Sequence, residues 1–117
     1  MEKEQIVSQL IVELRRGTQM IVVLHALKEQ SYGYKLLQKL NDLHVSIEAG
    51  TLYPLLRRLE KQGLLESIWD TTESRPRKFY ILSSLGREVL AILKDEWMKI
   101  NQELSLIYEE KNDEKLY

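Results

Sequence analysis

Apolar positions are spaced by threes and fours over most of the chain and gather into two short runs near its middle. Ile6, Leu10 and Leu14, with Val7 and Ile11 beside them, predict an opening helix. Met20 to Leu27 is apolar nearly all round, the pattern of a helix enclosed by others. Between them lies Gly17-Thr18, which either ends the first helix or sits inside a longer one at a cost of about 1 kcal/mol relative to alanine. Ser31 is placed to cap a helix from Tyr32 to about Asp42, with Leu36, Leu37 and Leu40 on its inner side. Beyond His44-Val45-Ser46, the residues Leu52, Leu55, Leu56 and Leu59 form the stripe of another helix, which Gly63 ends. Pro54 fits that helix without forfeiting a hydrogen bond only if the helix opens near Thr51, where its missing N–H would have had no partner anyway.

The two continuous runs, Leu64 to Trp69 and Lys78 to Leu82, are rich in apolar, aromatic and β-branched residues and predict strands. The polar stretch from Asp70 to Arg77 joins them as a hairpin. From Ser84 to about Glu110 a long helix carries Val89, Leu93, Trp97, Ile100, Leu104 and Ile107 in one stripe. Such a stripe is too long for one small domain to cover, so a second copy of the chain is expected to cover it. The expected fold is mainly α with a small β-hairpin (α+β): a winged helix-turn-helix with an N-terminal helix and a long C-terminal dimerisation helix. Residues 1–83 are expected to form the DNA-binding unit and residues 84–117 the dimerisation helix and tail.

Composition narrows the chemistry. A hydrophobic share of 44% and a charged share of 30% are those of a soluble folded protein. No run of about 18 apolar residues predicts a membrane span. The first residues lack the apolar core of a signal peptide, so a cytoplasmic location is expected. Cysteine is absent, which removes disulfides, thiol catalysis and thiolate zinc sites. His25, within a helix expected to be buried, and His44, in a loop, have no paired carboxylates at ligand spacing, so no metal is expected. Without a Gly-rich phosphate loop, a His-Glu-x-x-His pair or a nucleophile elbow, neither enzymatic activity nor a cofactor is expected.

The net charge of −1 argues against a nucleic-acid binder until it is divided along the chain. Residues 1–50 hold six basic and six acidic groups, residues 51–80 six and four, and residues 81–117 five and eight. Charges act on phosphates over about 8–10 Å, so the +2 of the middle outweighs the total. A helix with a basic outer side, preceded by another across a short turn and followed by a basic hairpin, matches a helix-turn-helix with its wing. A helix fits the major groove, about 12 Å wide, so Thr51, Tyr53, Arg57, Arg58 and Lys61 are expected at the groove of double-stranded DNA. Arg75, Arg77 and Lys78 are expected at the phosphates beside it. Neighbours on a helix diverge by about 100°, so one of Arg57 and Arg58 clamps or reads while the other flanks. Tyr53 either touches DNA or packs between helix and wing; Tyr32 and Tyr34 either donate to a phosphate or pack at the helix turn. The rival reading is a winged-helix protein-interaction module, which needs no positive strip; this sequence has one.

Several runs carry a family likeness: Leu14-Arg15-Arg16-Gly17-Thr18, Tyr32-Gly33-Tyr34, Gly50 through Leu64, Pro76-Arg77-Lys78-Phe79-Tyr80, and Leu82-Ser83-Ser84-Leu85-Gly86. Over residues 14–90 the sequence resembles the PadR transcriptional regulators, in their compact branch with a single C-terminal helix. The resemblance implies a homodimer joined through the last helix, with Ile6 and Leu10 of the partner's first helix packed against it. It further implies repression of detoxification, efflux or stress genes from an inverted-repeat operator, relieved by a small molecule or stress signal. Trp97 stands where an aromatic in some compact members lines a dimer-interface pocket for a hydrophobic or aromatic effector; otherwise it is interface core. Trp69 packs beneath the wing or turns its edge to the same pocket. Two departures from the family pattern are Glu48, where a small capping residue is frequent, and Glu73-Ser74, where the wing usually has a glycine.

Overall fold

A computed structural model describes residues 2–114, so the last three residues of the expected tail lie outside the described residues. In chain order the elements are α1 (Lys3–Ala26), β1 (Ser31–Tyr32), α2 (Gly33–Asp42), α3 (Ala49–Lys61), β2 (Leu65–Asp70), β3 (Arg77–Leu82) and α4 (Ser84–Glu114). The helix α1 runs unbroken through Gly17, which resolves the choice left by the sequence. No side chain approaches the site of a Cβ there, and the Thr18 hydroxyl donates within the helix to the Arg15 carbonyl at 3.0 Å.

The core forms where four helical stripes and the sheet meet. Val23 and Leu24 of α1, Leu27 just past its end, Leu36 and Leu40 of α2, Leu52, Leu56 and Leu59 of α3, and Leu90 of α4 are fully buried. At about 1.5–3 kcal/mol for each large aliphatic side chain removed from water, this cluster dominates the stability of the fold. Both α2 and α3 stop in the same way. The Val45 N–H reaches back to the Leu40 carbonyl at 2.8 Å, and the Leu64 N–H to that of Leu59 at 2.9 Å. Each closure needs a left-handed residue, supplied by Gly63 at φ 81° as expected and by His44 at φ 63°. Placing a residue with a Cβ in that region costs about 1–2 kcal/mol, which the Leu40–Val45 closure offsets.

Three sequence expectations need correction. Ser31 does not cap α2: with Tyr32 it forms β1, opposite Tyr80 and Phe79 of β3, and α2 starts at Gly33 without a side-chain cap. The expected two-stranded hairpin is therefore a three-stranded antiparallel sheet in the order β1-β3-β2. The β2–β3 ladder runs from Leu65 opposite Leu82 to Asp70 opposite Arg77. Finally, α3 opens at Ala49 with Glu48 as its uncapped N-cap, so Pro54 lies in the second turn. Its ring removes the donor for the Gly50 carbonyl, at a residue that is itself exposed.

Ser83 joins the sheet to α4. Its hydroxyl donates to the Gly63 carbonyl at 2.7 Å and accepts from the Gly86 N–H at 2.9 Å. Gly86 packs against the Leu64 carbonyl so closely that a Cβ there would collide with it. The first turns of α4 are thereby locked onto the winged-helix core, and the rest of α4 runs back along α1. With principal extents of 68 × 36 × 24 Å and a radius of gyration of 18.1 Å, the protomer is elongated. A compact chain of about 100 residues would have a radius near 13 Å.

Candidate nucleic-acid interface

Burial of Leu52, Leu56 and Leu59 fixes the rotation of α3 and turns Thr51, Arg57, Arg58 and Lys61 outward, where all four are exposed. Among the described residues, none of these three cations has a carboxylate within 4.0 Å. Tyr53 is half-buried, and its ring lies on Gly33 so tightly that a side chain there would strike it. Its ring thus holds α3 against the start of α2.

In the wing, Asp70 accepts from the Thr72 N–H at 3.0 Å and from the Thr72 hydroxyl at 2.7 Å. These bonds shape the glycine-free turn, and the backbone bond, followed by the hydroxyl, holds the Asp70 carboxyl below its ordinary pKa. Arg75 is exposed and unpaired among the described residues. Arg77 pairs with Glu73 at 3.5 Å and lies over the Tyr32 ring at 4.7 Å. Tyr32 itself is half-buried in β1, edge-on to Phe79 with ring centres 5.2 Å apart. Tyr34 is exposed, its hydroxyl accepting from the Gln38 amide at 3.0 Å.

Lys78 departs from the free phosphate contact its sequence position suggested. Its ammonium donates to Glu60 Oε1 of α3 at 2.9 Å, while the Ser67 hydroxyl of β2 donates to Oε2. The Ser67 bond, then the Lys78 bond, lowers the Glu60 pKa, and the bond to Glu60 raises that of Lys78. Three residues from three elements thus brace the wing on α3, and one of the six basic groups of the central segment is neutralised where it stands.

Away from this face, an open groove of about 580 Å³ runs between α1 and α4, with Leu14, Met20 and Ile21 on one side and Leu93, Trp97, Ile100 and Leu104 on the other. Val89 and Leu93 pack half-buried on the protomer's own core, so the uncovered part of the α4 stripe begins at Trp97. Ile6, Leu10, Trp97, Ile100, Leu104 and Ile107 are each between 42% and 57% exposed. Trp69 is not near this groove: it stands on β2 opposite Lys78, where the hairpin extends past the core, and is 61% exposed. His25, expected to be buried, is exposed on the last turn of α1. Among the described residues there is no cluster of three metal-ligating side chains and no helix long and apolar enough to cross a membrane.

Two arginines escaped the sequence-based assignment of sites. Arg15 and Arg16 line a hollow with Thr51, Ser46 and Glu48, at the opening of α3. The Gln19 side chain fixes this junction by donating to the Ser46 carbonyl at 3.3 Å. Their signal was present as an adjacent basic pair, but only the fold brings it beside a helix some 35 residues away in sequence.

The family model described as the transcriptional regulator PadR-like family matches residues 23–92. A crystal structure of a PadR family transcriptional regulator from Eggerthella lenta is similar at a TM-score of 0.85 and 45% identity, covering 91% of this chain and 95% of that one. A PadR-like transcriptional regulator from Bacillus cereus is similar at a TM-score of 0.70 and 28% identity, covering 81% and 95%. A transcriptional regulator of Mycobacterium tuberculosis is 34% identical over 76 residues, 65% of this chain and 71% of that one.

Proposed function

The chain belongs to the PadR-like family of transcriptional regulators, and from that premise we propose that it is a repressor binding an inverted-repeat operator as a homodimer, released by a small molecule. The observation that carries the reading is the outer side of α3, where Arg57, Arg58 and Lys61 stand exposed and without counter-charges among the described residues. That side enters the major groove, with Thr51 at its leading end and the Tyr53 ring of the same helix bracing it against Gly33 of α2. Arg75 and Arg77 of the wing meet the phosphate backbone alongside, and Tyr32 steadies the Arg77 guanidinium from below. Lys78 contributes chiefly by bracing the wing.

Residues 84–117 provide the dimer contact and residues 1–83 the DNA contact. Two copies cover the exposed stripe from Trp97 to Ile107 together with Ile6 and Leu10 of the partner. The two α3 helices then address half-sites about 34–36 Å apart, one turn of duplex. A hydrophobic or aromatic effector enters the groove between α1 and α4 and rests on Trp97. The protein works in the cytoplasm, where the operator is.

Fluorescence anisotropy on a labelled duplex from the DNA upstream of its own gene tests the reading across a salt series. The Arg57→Ala/Arg58→Ala pair is expected to weaken binding more than tenfold and to flatten the salt slope by about 0.9 for each phosphate that is no longer neutralised. Affinity and slope identical to the parent protein would remove α3 from the interface.

A further inference from the structure

Past the core, strand β2 presents two large apolar side chains, Ile68 and Trp69, each 61% exposed. Strand alternation puts them on opposite faces of the hairpin. Trp69 shares its face with Leu65, which is buried, and with Ser67, whose hydroxyl donates to Glu60 of α3. Across the ladder, Tyr80 stands opposite Ser67 and Lys78 opposite Trp69; Tyr80 is buried and Lys78 also reaches Glu60. Trp69 therefore lies on the side of the wing turned toward α3, about 7 Å farther out along the strand than the Ser67 contact. The indole overhangs the junction of helix and wing and stays uncovered there.

With α3 in the major groove and Arg75 and Arg77 at the phosphates alongside, one sugar-phosphate strand has to cross that junction. The charges around Trp69 suit such a strand. Lys61 near the end of α3 and Arg75 in the turn are exposed and unpaired among the described residues. The acids close by are engaged or turned away. Glu60 is held by Ser67 and Lys78, Glu73 by Arg77 and Asp70 by Thr72, while Glu66 shares the far face with Ile68. The chemistry of the side chain matches as well. An indole has a broad apolar face, one N–H donor and no acceptor, and a DNA backbone offers deoxyribose surfaces between phosphate oxygens that only accept.

We propose that Trp69 is a DNA contact of the wing, its ring resting on a deoxyribose of the strand that passes between α3 and the wing and its Nε1–H donating to a phosphate oxygen of that strand. The proposal rests on the DNA-binding reading of α3 and deepens it, because this contact differs in kind from those of the arginines. A neutral side chain releases no counterions, so its share of the affinity persists at salt concentrations where the cationic contacts fade. The contact carries no base information and acts by holding the wing in register with α3.

Fluorescence anisotropy of the full chain on the duplex from upstream of its own gene, over a salt series, tests the contact. Trp69→Ala is expected to bind at least about fivefold more weakly than the parent with the same salt slope, and to keep its helical circular dichroism. Trp69→Phe, which keeps a ring and loses the donor, is expected to fall between the two. Arg75→Ala, by contrast, should lower affinity and slope together. Ile68→Ala, equally exposed on the opposite face, should bind like the parent. Acrylamide quenching gives a second readout: saturating duplex should shield part of the parent's tryptophan emission, and that shielding should be missing in Trp69→Phe. Parent-like affinity in Trp69→Ala, or quenching that the duplex leaves unchanged in the parent, overturns the contact while the reading of α3 stands. An equal loss in Ile68→Ala assigns the effect to the shape of the hairpin and likewise overturns it. A parent protein that binds no duplex overturns both.

Discussion

At the scale of single residues, identical letters meet different physical demands, and two helical glycines show it. Gly17 lies in the middle of α1 with open space where a Cβ would stand, so its only effect is the backbone freedom it adds to the unfolded chain. Gly86, in the first turns of α4, lies against the Leu64 carbonyl and the Leu82 side chain, and the carbonyl belongs to backbone that cannot turn aside. Gly17→Ala is therefore expected to stabilise the protein by about 0.5–1 kcal/mol. Gly86→Ala is expected to destabilise it by about 3 kcal/mol, the upper part of the range for overpacking. Urea unfolding at one fixed protomer concentration measures both; a harmless Gly86→Ala would mean that α4 docks on the wing less closely than described. The sequence could not rank these two glycines, because what separates them is the carbonyl of a residue 22 positions away. The same holds for Lys78: its charge is plain in the sequence, but its partner Glu60 becomes visible only when the hairpin folds back on α3.

Elements whose signal is local were legible. The stripes of α2, α3 and α4, the stop at Gly63 and the two long strands lie within a residue or two of where spacing puts them, apart from the start of α3 and the end of α4. β1 was not legible, since two residues have no periodicity and their pairing with Phe79 and Tyr80 spans the whole helix-turn-helix. Nor was the start of α3, where Pro54 suggested a later opening than the exposed Gly50 allows. The coupling of α3 to the wing through Glu60, Ser67 and Lys78 likewise belongs to this scale, and it makes a prediction about pH. Glu60 has a folded pKa below its unfolded value of about 4.3, so its contribution is present above that pH and fades as pH falls through the folded value. Lys78 has a raised folded pKa, so its part is complete below about 10.4 and is lost as pH rises through the folded value. Glu60→Gln should therefore be less stable than the parent at neutral pH, with the gap closing below about pH 4. It should also free Lys78 for phosphate and steepen the salt dependence of DNA binding by about 0.9 for each phosphate that the freed ammonium of a protomer neutralises. An unchanged slope would show that the Lys78 ammonium does not reach DNA even when released.

The whole molecule poses a question that no protomer answers alone. Its 68 Å length comes from α1 and α4 extending together beyond the core, and apolar side chains along that extension, Ile6, Leu10, Trp97, Ile100, Leu104 and Ile107 among them, are 42–57% exposed. A contiguous apolar surface of this kind, in a chain whose core is otherwise complete, has a large cost in water unless a partner covers it. The sequence made that stripe visible, yet it could not show that Val89 and Leu93 serve the protomer's own core while the residues from Trp97 onward do not. The division gives a clean test, because Ile100 and Leu104 can be changed without touching the buried cluster. Ile100→Asp/Leu104→Asp should keep the helical circular dichroism of the protomer while light scattering falls from the dimer mass to 13.8 kDa. Operator affinity should drop by about 10²–10⁴-fold, because each α3 then binds its half-site without the effective concentration its twin supplied. The melting temperature of the parent should rise with protomer concentration and that of the variant should not, since only the parent gains stability from association. A double variant that remains a dimer and holds its operator as before would place the subunit contact elsewhere, and the exposed α4 stripe would then need another occupant.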